Sequence, residues 1–137
     1  MEIKIHATPI EQDGRSYLQI LSPVRAVNPV AGGEMFADLV ALWDTGATNT
    51  CIPMKVAEAL GIQPGAPTAV DRMKSTVTSH SCQFYLEFPT GDKIFVKDAL
   101  ALPKMQAQFV IGMDIIGKGR TTIEPDGSGG VHFTFSV

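Results

Sequence analysis

Residues 36–48 have the sequence FADLVALWDTGAT. The segment from Phe36 to Trp43 is strongly apolar, which predicts a buried strand. The strand stops at Asp44-Thr45-Gly46, so a carboxylate follows a buried strand directly, on a tight turn. A carboxylate in such a place is costly to desolvate unless it is hydrogen-bonded or paired. Because glycine lets the backbone come close, we predict that the Gly46 amide donates to an Asp44 oxygen.

The tripeptide alone is a weak signal, because three residues recur by chance. By itself it fits a strand-end turn with a solvated aspartate better than it fits a catalytic site. Its surroundings favour the functional interpretation, since Ala47-Thr48 follow it and a short helix is predicted soon after. That helix covers residues 54–60, with Pro53 at its start and Gly61 just past its end, as expected for helix termini.

A second element lies downstream, at Phe109-Val110-Ile111-Gly112-Met113-Asp114-Ile115-Ile116. It consists of a short apolar strand, a glycine and a short amphipathic turn. In this order and at this separation, the two elements resemble the retropepsin-like aspartic proteases, over roughly residues 36–124. The segment 52–62 is also similar to the helix that follows the catalytic turn in cellular and bacterial relatives.

This resemblance implies an all-β acid-protease barrel with one or two short helices and half of an active site per chain. In that family the apolar-apolar-glycine strand crosses beneath the Asp-Thr-Gly turn. The short strands and turn signals of the sequence are themselves typical of an all-β domain. A length of 137 residues suits a single domain, which we expect to span residues 1–137.

The number of aspartate motifs bears on the assembly. A pepsin-like enzyme has two Asp-Thr/Ser-Gly motifs, and this sequence has one; Asp126-Gly127-Ser128 lacks the intervening residue and predicts a turn. An aspartic endopeptidase needs two carboxylates, so the resemblance implies a homodimer with one Asp44 from each subunit. The pair would share one proton and activate a water that hydrolyses a peptide bond. We expect an acidic activity optimum and no metal or organic cofactor.

The resemblance also assigns roles to individual residues, with Asp44 as the catalytic residue. Support of the active-site turn falls to Thr45, Gly46, Ala47, Gly112 and Asp114. Contact with an extended peptide substrate falls to Gly46, Ala47, Thr48, Asn49, Ile111, Met73 and Lys74. For Ile111, as for Cys51 and Ile52, a plain core position is an equal alternative.

The predicted flap departs from the family pattern. Retropepsins close over the substrate with a glycine-rich hairpin, whereas the corresponding residues 68–78, TAVDRMKSTVT, have no glycine at the tip. A second hypothesis is therefore a catalytically silent module of the same fold, which dimerises or binds peptides by strand addition. An unrelated β-barrel binding protein with a chance motif is a third. The intact aspartate motif favours the enzyme.

Composition argues against several other classes of protein. The apolar fraction of 45% and the charged fraction of 18% fit a globular chain and not a disordered one. A net charge of -3 with scattered basic residues argues against nucleic-acid binding. No apolar run approaches the roughly 20 residues of a membrane-spanning helix. With two cysteines and no signal-peptide pattern, we expect a cytoplasmic protein with reduced thiols.

The remaining segments predict strands and turns. A hairpin turn at Asp13-Gly14 precedes a predicted strand at residues 17–21, and residues 24–34 predict a loop because they hold Pro29 and Gly32-Gly33. Further strands are predicted at residues 3–5, 82–88, 93–102 and 131–135. The two terminal strands could interleave between subunits, as in viral relatives, or pair within one chain. The sequence leaves both alternatives open.

Overall fold

The computed structural model describes residues 1–30, 35–65, 67–72 and 75–137, and for residues 68–72 and 75–77 it describes the backbone alone. The strands and helices are β1 (Glu2–Ala7), β2 (Ile10–Gln12), β3 (Arg15–Tyr17), β4 (Leu21–Val27), β5 (Phe36–Trp43), β6 (Cys51–Pro53), α1 (Met54–Ala59), β7 (Pro67–Arg72), β8 (Ser75–Glu87), β9 (Lys93–Leu102), β10 (Phe109–Ile111), α2 (Met113–Ile116), β11 (Arg120–Pro125) and β12 (Val131–Ser136).

A closed barrel forms the body of the fold. Within the described residues, six strands follow one another in the order β4-β5-β10-β6-β9-β8, and pairing between β4 and β8 closes the ring. The β5–β10 and β6–β9 contacts are parallel, and the other contacts of the ring are antiparallel. β7 pairs with β8 as an extension of the ring. The predicted all-β barrel with short helices is confirmed.

β5 and β10 are the two strands that lie next to the Asp44 turn. On β5, Ala41 and Trp43 are buried, whereas Val40 on the opposite face of the same strand is 42% exposed, the alternation of a strand with one face in the core. On β10, Phe109 is fully buried, and its ring meets that of Phe84 edge-on at 5.9 Å. Such a pair adds about 0.5–1.5 kcal/mol to the area it buries. The two strands are therefore well anchored where β5 ends.

The terminal strands form a separate sheet. β12 lies between β1 and β11, and both pairings are antiparallel. At its end, the Met1 ammonium donates to the Val137 carbonyl at 2.8 Å, and the Val137 amide donates to the Met1 carbonyl at 3.0 Å. Pairing within one chain is therefore the alternative that the structure adopts. Phe133 and Phe135 of β12 are buried and belong to the same hydrophobic core as the barrel.

Two local predictions are wrong. The strand predicted at residues 17–21 does not form, because β3 ends at Tyr17 and β4 begins at Leu21. The loop predicted at residues 24–34 is wrong over its first part, since β4 continues to Val27. Residues 31–34 of that predicted loop lie outside the described residues.

Pro23 shows why β4 is hard to recognise from sequence. Its register partner on β5 is Val40, whose amide donates to Gln108 Oε1 at 2.9 Å, toward β10 and away from β4. The Pro23–Val40 pair therefore makes no hydrogen bond across the two strands, so the missing N–H of proline removes nothing from the ladder.

The Asp126 carboxylate ties the β11–β12 hairpin to β1. Its side chain is only 4% exposed. One oxygen accepts from the Ser128 amide at 2.7 Å and from the Gly130 amide at 2.9 Å, and the other lies 2.8 Å from His6 Nε2. These contacts hold the pKa of Asp126 below its usual range, with the His6 hydrogen bond first and the Ser128 amide next.

Asp126 predicts a pH-dependent part of the stability. A carboxylate with a lowered pKa in the folded state stabilises the fold above its unfolded pKa, and this contribution is lost as the pH falls through the folded pKa. We therefore expect Asp126→Asn to destabilise the protein more near neutral pH than at about pH 3. Urea titrations of both proteins at the two pH values check this. An equal loss at both would mean that the ionised form contributes nothing.

Candidate active site

The Asp44 carboxylate is held by its own turn. Its Oδ1 accepts a hydrogen bond from the Gly46 amide at 2.8 Å, as the sequence predicts, and its carbonyl accepts from the Ala47 amide at 3.2 Å. A Cβ at Gly46 would lie 3.1 Å from Asp44 Oδ1, tighter than an ordinary contact, so glycine favours this approach. Asp44 is half-buried, while Thr45 and Gly46 are exposed. The carboxylate is thus fixed at the surface of the chain.

β10 crosses directly beside this turn. The Ile111 carbonyl accepts from the Asp44 amide at 2.9 Å, and Ile111 is in parallel register with Trp43. The next residue, Gly112, has no room for a side chain. A Cβ there would lie 2.6 Å from the carbonyl carbon and oxygen of Asn49 and 2.8 Å from the Ala47 carbonyl oxygen. The glycine therefore lets β10 pass against the segment that follows the Asp44 turn.

The start of α2 continues this contact. The Met113 amide donates to the Ala47 carbonyl at 2.7 Å, and the Asp114 amide donates to the Thr48 carbonyl at 3.1 Å. Both amides belong to the first turn of α2, where the helix itself offers them no partner. The carbonyls of the active-site loop thus accept hydrogen bonds from helix amides that would otherwise have no partner. These bonds hold the loop from its inner side, the side away from solvent.

Thr50 and Asp114 form a hydrogen-bonded pair behind the turn. Asp114 Oδ1 accepts from the Thr50 amide at 2.9 Å, from the Thr50 hydroxyl at 2.7 Å and from the Ile115 amide at 3.1 Å. The Thr50 hydroxyl oxygen in turn accepts from the Gly112 amide at 3.2 Å. Thr50 has no exposed surface. The pair therefore joins the entrance of β6 to the end of β10 and to α2.

Removal of the Thr50 hydroxyl tests this connection. We expect Thr50→Val to lower the free energy of unfolding by about 1–3 kcal/mol, because the buried Gly112 amide loses its acceptor and Asp114 loses a donor. Thr121→Val is the matched control, since the Thr121 hydroxyl is buried and has no hydrogen-bond partner among the described residues. Urea denaturation should show little loss, or a gain, for that control. Equal losses at both positions would argue against the Thr50 connection.

The structure brings most of the predicted site residues together. Ala47 and Asn49 are half-buried and Thr48 is exposed, all beside the Asp44 turn. Asn49 Nδ2 donates to the carbonyl of Asp98 on β9 at 2.9 Å, which anchors residues 47–49 to the barrel. These residues therefore form one continuous surface segment next to Asp44.

Two other parts of the predicted site stand apart. Ile111 is fully buried, so the structure places it in the core. Its side chain therefore has no exposed surface with which to contact a substrate. Met73 and Lys74 lie outside the described residues. The strands on either side of them, β7 and β8, pair antiparallel with Arg72 opposite Ser75, as the predicted hairpin requires.

Thr50 is a site residue that the sequence pattern does not single out. A threonine just before the apolar pair Cys51-Ile52 fits an ordinary strand entrance, and its partner Asp114 lies 64 positions away. Cys82 is buried in the hydrophobic core, as a packing residue would be. Burial, followed by the nearby Cys51, raises the pKa of the Cys82 thiol to about 12, so this thiol stays protonated and unreactive.

Comparison with known proteins gives the family. The model of the family described as "gag-polyprotein putative aspartyl protease" matches residues 37–118, more than half of the chain. The chain belongs to this aspartyl protease family. The matched range contains the Asp44 turn, β10 and α2, which are the elements that build the site. Comparison with curated protein sequences gave no significant match.

A solved structure of this protease class shows the same fold. The crystal structure of a retropepsin-like aspartic protease from Rickettsia conorii superposes with a TM-score of 0.58 at 12% identity, over 98% of this chain and 91% of that one. The solution structure of the simian foamy virus (mac) protease has a TM-score of 0.49 at 18% identity, over 71% and 91% of the two chains. The first of these shows the retropepsin-like fold.

Neither helix in the described part of this chain has the length and apolarity to cross a membrane.

Proposed function

We propose that the protein is an aspartic endopeptidase that acts as a homodimer, with the Asp44 carboxylates of two subunits in one active site. The observation that carries the proposal is the half-buried Asp44 carboxylate, fixed by the Gly46 amide on a surface turn. The sequence holds one Asp-Thr-Gly motif, whereas the chemistry needs two carboxylates. A two-fold contact brings the same residue of each subunit to the axis, which supplies the second.

The paired carboxylates would perform acid–base catalysis. Two such groups about 3 Å apart cannot both ionise comfortably, so the pair holds one proton and has two macroscopic pKa values. The ionised member removes a proton from a water whose oxygen attacks the scissile carbonyl carbon, while the protonated member donates its proton to the carbonyl oxygen. The C–N bond then breaks as the carboxyl group that took up the water proton gives it to the leaving nitrogen, and the other carboxylate takes a proton back from a hydroxyl of the intermediate. Because carboxyl groups ordinarily titrate in the acidic range, we expect an acidic activity optimum.

The turn contacts support this role for Asp44. The amide of Asp44 is bonded to Ile111, and the loop after it is bonded to α2 and packed against Gly112. The carboxylate therefore moves with a rigid part of the barrel, which is what a pair of reacting groups needs. Thr45 is exposed next to Asp44, where its hydroxyl can bond to the same turn of the second subunit.

The substrate of the proposed enzyme is an extended peptide. Residues 46–49 run along the surface beside Asp44, and the exposed Gly46 and Thr48 can offer backbone and hydroxyl groups to a peptide that adds as a strand. Asn49 is bonded to the Asp98 carbonyl, and this hydrogen bond keeps residues 46–49 in place. The β7–β8 hairpin, with Met73 and Lys74 between its strands, is the element proposed to cover the peptide.

Mixing subunits tests whether the active site is shared. Wild-type protein is incubated with increasing amounts of Asp44→Asn protein until subunits have exchanged, and cleavage of a peptide library is measured. If each site needs two Asp44 residues, a ninefold excess of the variant should lower the wild-type activity to about one tenth, because few wild-type chains find a wild-type partner. Sensitivity of the cleavage to pepstatin, an inhibitor of aspartic peptidases, identifies the class.

Asp13→Asn is the matched control for the mixing experiment. Asp13 lies in the β2–β3 turn with a φ of 52°, a conformation that asparagine also adopts. Because this variant keeps Asp44 and should itself be active, adding it should leave the activity per total chain unchanged. Activity that is insensitive to Asp44→Asn would contradict the shared site. A wild-type dimer that cleaves nothing would favour the catalytically silent peptide-binding module.

A further inference from the structure

Trp43 precedes Asp44 and is held by directional bonds. It is 5% exposed. Its amide donates to the Ile20 carbonyl at 2.9 Å, and its indole N–H donates to Ser22 Oγ at 2.8 Å. Ser22 is itself 6% exposed. A buried indole N–H needs a partner of this kind, because an unsatisfied donor is costly in the core. The hydrogen bond therefore fixes the orientation of the ring as well as its depth.

Three phenylalanine rings surround the indole. Those of Phe133 and Phe135 on β12 lie 5.2 Å from it, and that of Phe88 lies 6.1 Å from it. Phe135 is fully buried, and Gly119 lies so close to its ring that an added Cβ would be only 2.5 Å from the ring carbon Cε2. β12 is also the central strand of the terminal sheet. The packing of the indole thus connects the terminal sheet to Trp43, the residue directly before Asp44.

We propose that Trp43 is a positioning residue. Its indole, oriented by the bond to Ser22 on β4 and packed against Phe133 and Phe135, sets the place of the Asp44 carboxylate relative to the terminal sheet. The proposal rests on the proposed peptidase function. A catalytic pair must be held within about 0.5 Å of its productive geometry. The Gly46 amide orients the carboxylate inside its turn, but it belongs to that turn and moves with it. The position of the whole turn is set by its contacts with β10 and α2 and by the residue before it, Trp43, which reaches the terminal sheet.

The indole N–H is the feature that distinguishes this role from plain packing. Trp43→Phe keeps an aromatic ring and loses the bond to Ser22, and Ser22→Ala keeps the indole and loses the same bond. We expect Trp43→Phe to lower kcat by about 10-fold to 10²-fold, the range for a misplacement of about 1 Å, with KM changed far less. Ser22→Ala should lower kcat in the same direction. The double variant should have the kcat of Trp43→Phe, because both changes remove one interaction.

Val96→Ala controls for general destabilisation. Val96 is a buried residue of β9, in register with Phe84 and away from the Asp44 turn in the strand order. Its stability loss in urea is measured beside that of Trp43→Phe, and its kcat should stay near the wild-type value. The pH profile of kcat is a second readout. At least one limb should move in Trp43→Phe, because the spacing of the two carboxylates sets their apparent pKa values, and neither limb should move in Val96→Ala.

Each result separates the two proposals. A Trp43→Phe protein with the kcat and pH profile of the wild type, or one that loses kcat only as Val96→Ala does, overturns the positioning role. If Trp43→Phe fails to fold, Ser22→Ala decides, and an unchanged kcat in that variant overturns the role as well. A wild-type protein without peptidase activity overturns the proposed function and this inference together.

Discussion

Asp44→Asn is expected to abolish peptide cleavage and leave the fold intact. We expect kcat/KM to fall by roughly 10²–10⁴-fold or more, the range that positioned acid–base groups contribute. Asparagine has the shape of aspartate, and its amide oxygen can still accept the hydrogen bond that the Gly46 amide makes to Asp44 Oδ1. It cannot ionise, however, so no base is left to take the proton from water. In a homodimer both members of the pair are lost at once.

The measurement compares three proteins on the same peptide library. Wild type and Asp13→Asn, a surface change of the same chemical kind, should cleave equally, with an acidic optimum and inhibition by pepstatin. Asp44→Asn should give the same urea unfolding curve and the same dimer mass with no cleavage. Substantial residual activity in Asp44→Asn would overturn the assignment of Asp44. Loss of its dimer or its fold would mean that the carboxylate has a structural role.

The parts of the site that the sequence predicts are those set by short-range contacts. The end of β5 follows from a change in hydrophobicity at Asp44. The hydrogen bond from Gly46 to Asp44 spans two residues, and only a small residue allows the approach. The limits of α1 follow from Pro53 and from Gly61, which has a φ of 71°. In each case the determining atoms lie within one turn of chain, so the local pattern contains them.

The parts that the sequence does not predict depend on distant strands. Asp114 and Thr50 meet because β10 passes between β5 and β6, and no pattern at either residue records that crossing. β6 has only three residues, too few for an alternation to be recognised. Pro23 suggests a break in a strand, and it is harmless because the bonding of Val40 is directed toward Gln108. The resemblance to retropepsins supplied the crossing strand; hydrophobic periodicity alone did not.

Gly112→Ala is expected to give the largest loss of stability among these variants, about 3 kcal/mol, at the upper end of the range for overpacking. The added Cβ would lie 2.6 Å from the Asn49 carbonyl group and 2.8 Å from the Ala47 carbonyl oxygen. These are backbone atoms, and the Ala47 carbonyl is held by the Met113 amide at 2.7 Å. Relief of the clash therefore requires β10 and the active-site loop to separate.

Gly14→Ala distinguishes this steric effect from backbone strain. Gly14 has a φ of 72°, and a Cβ added there would meet no described atom within 4 Å, so alanine carries only the cost of a left-handed backbone, about 1–2 kcal/mol. Gly112 has a φ of -100° and a ψ of -172°, which any residue adopts, so its loss comes from the contact alone. Urea unfolding should give Gly112→Ala a lower free energy of unfolding than Gly14→Ala. The cleavage rate of Gly112→Ala should also fall by more than its unfolded fraction explains. The reverse ranking would mean that the loop yields to the methyl group, and that the close passage of β10 does not hold Asp44 in place.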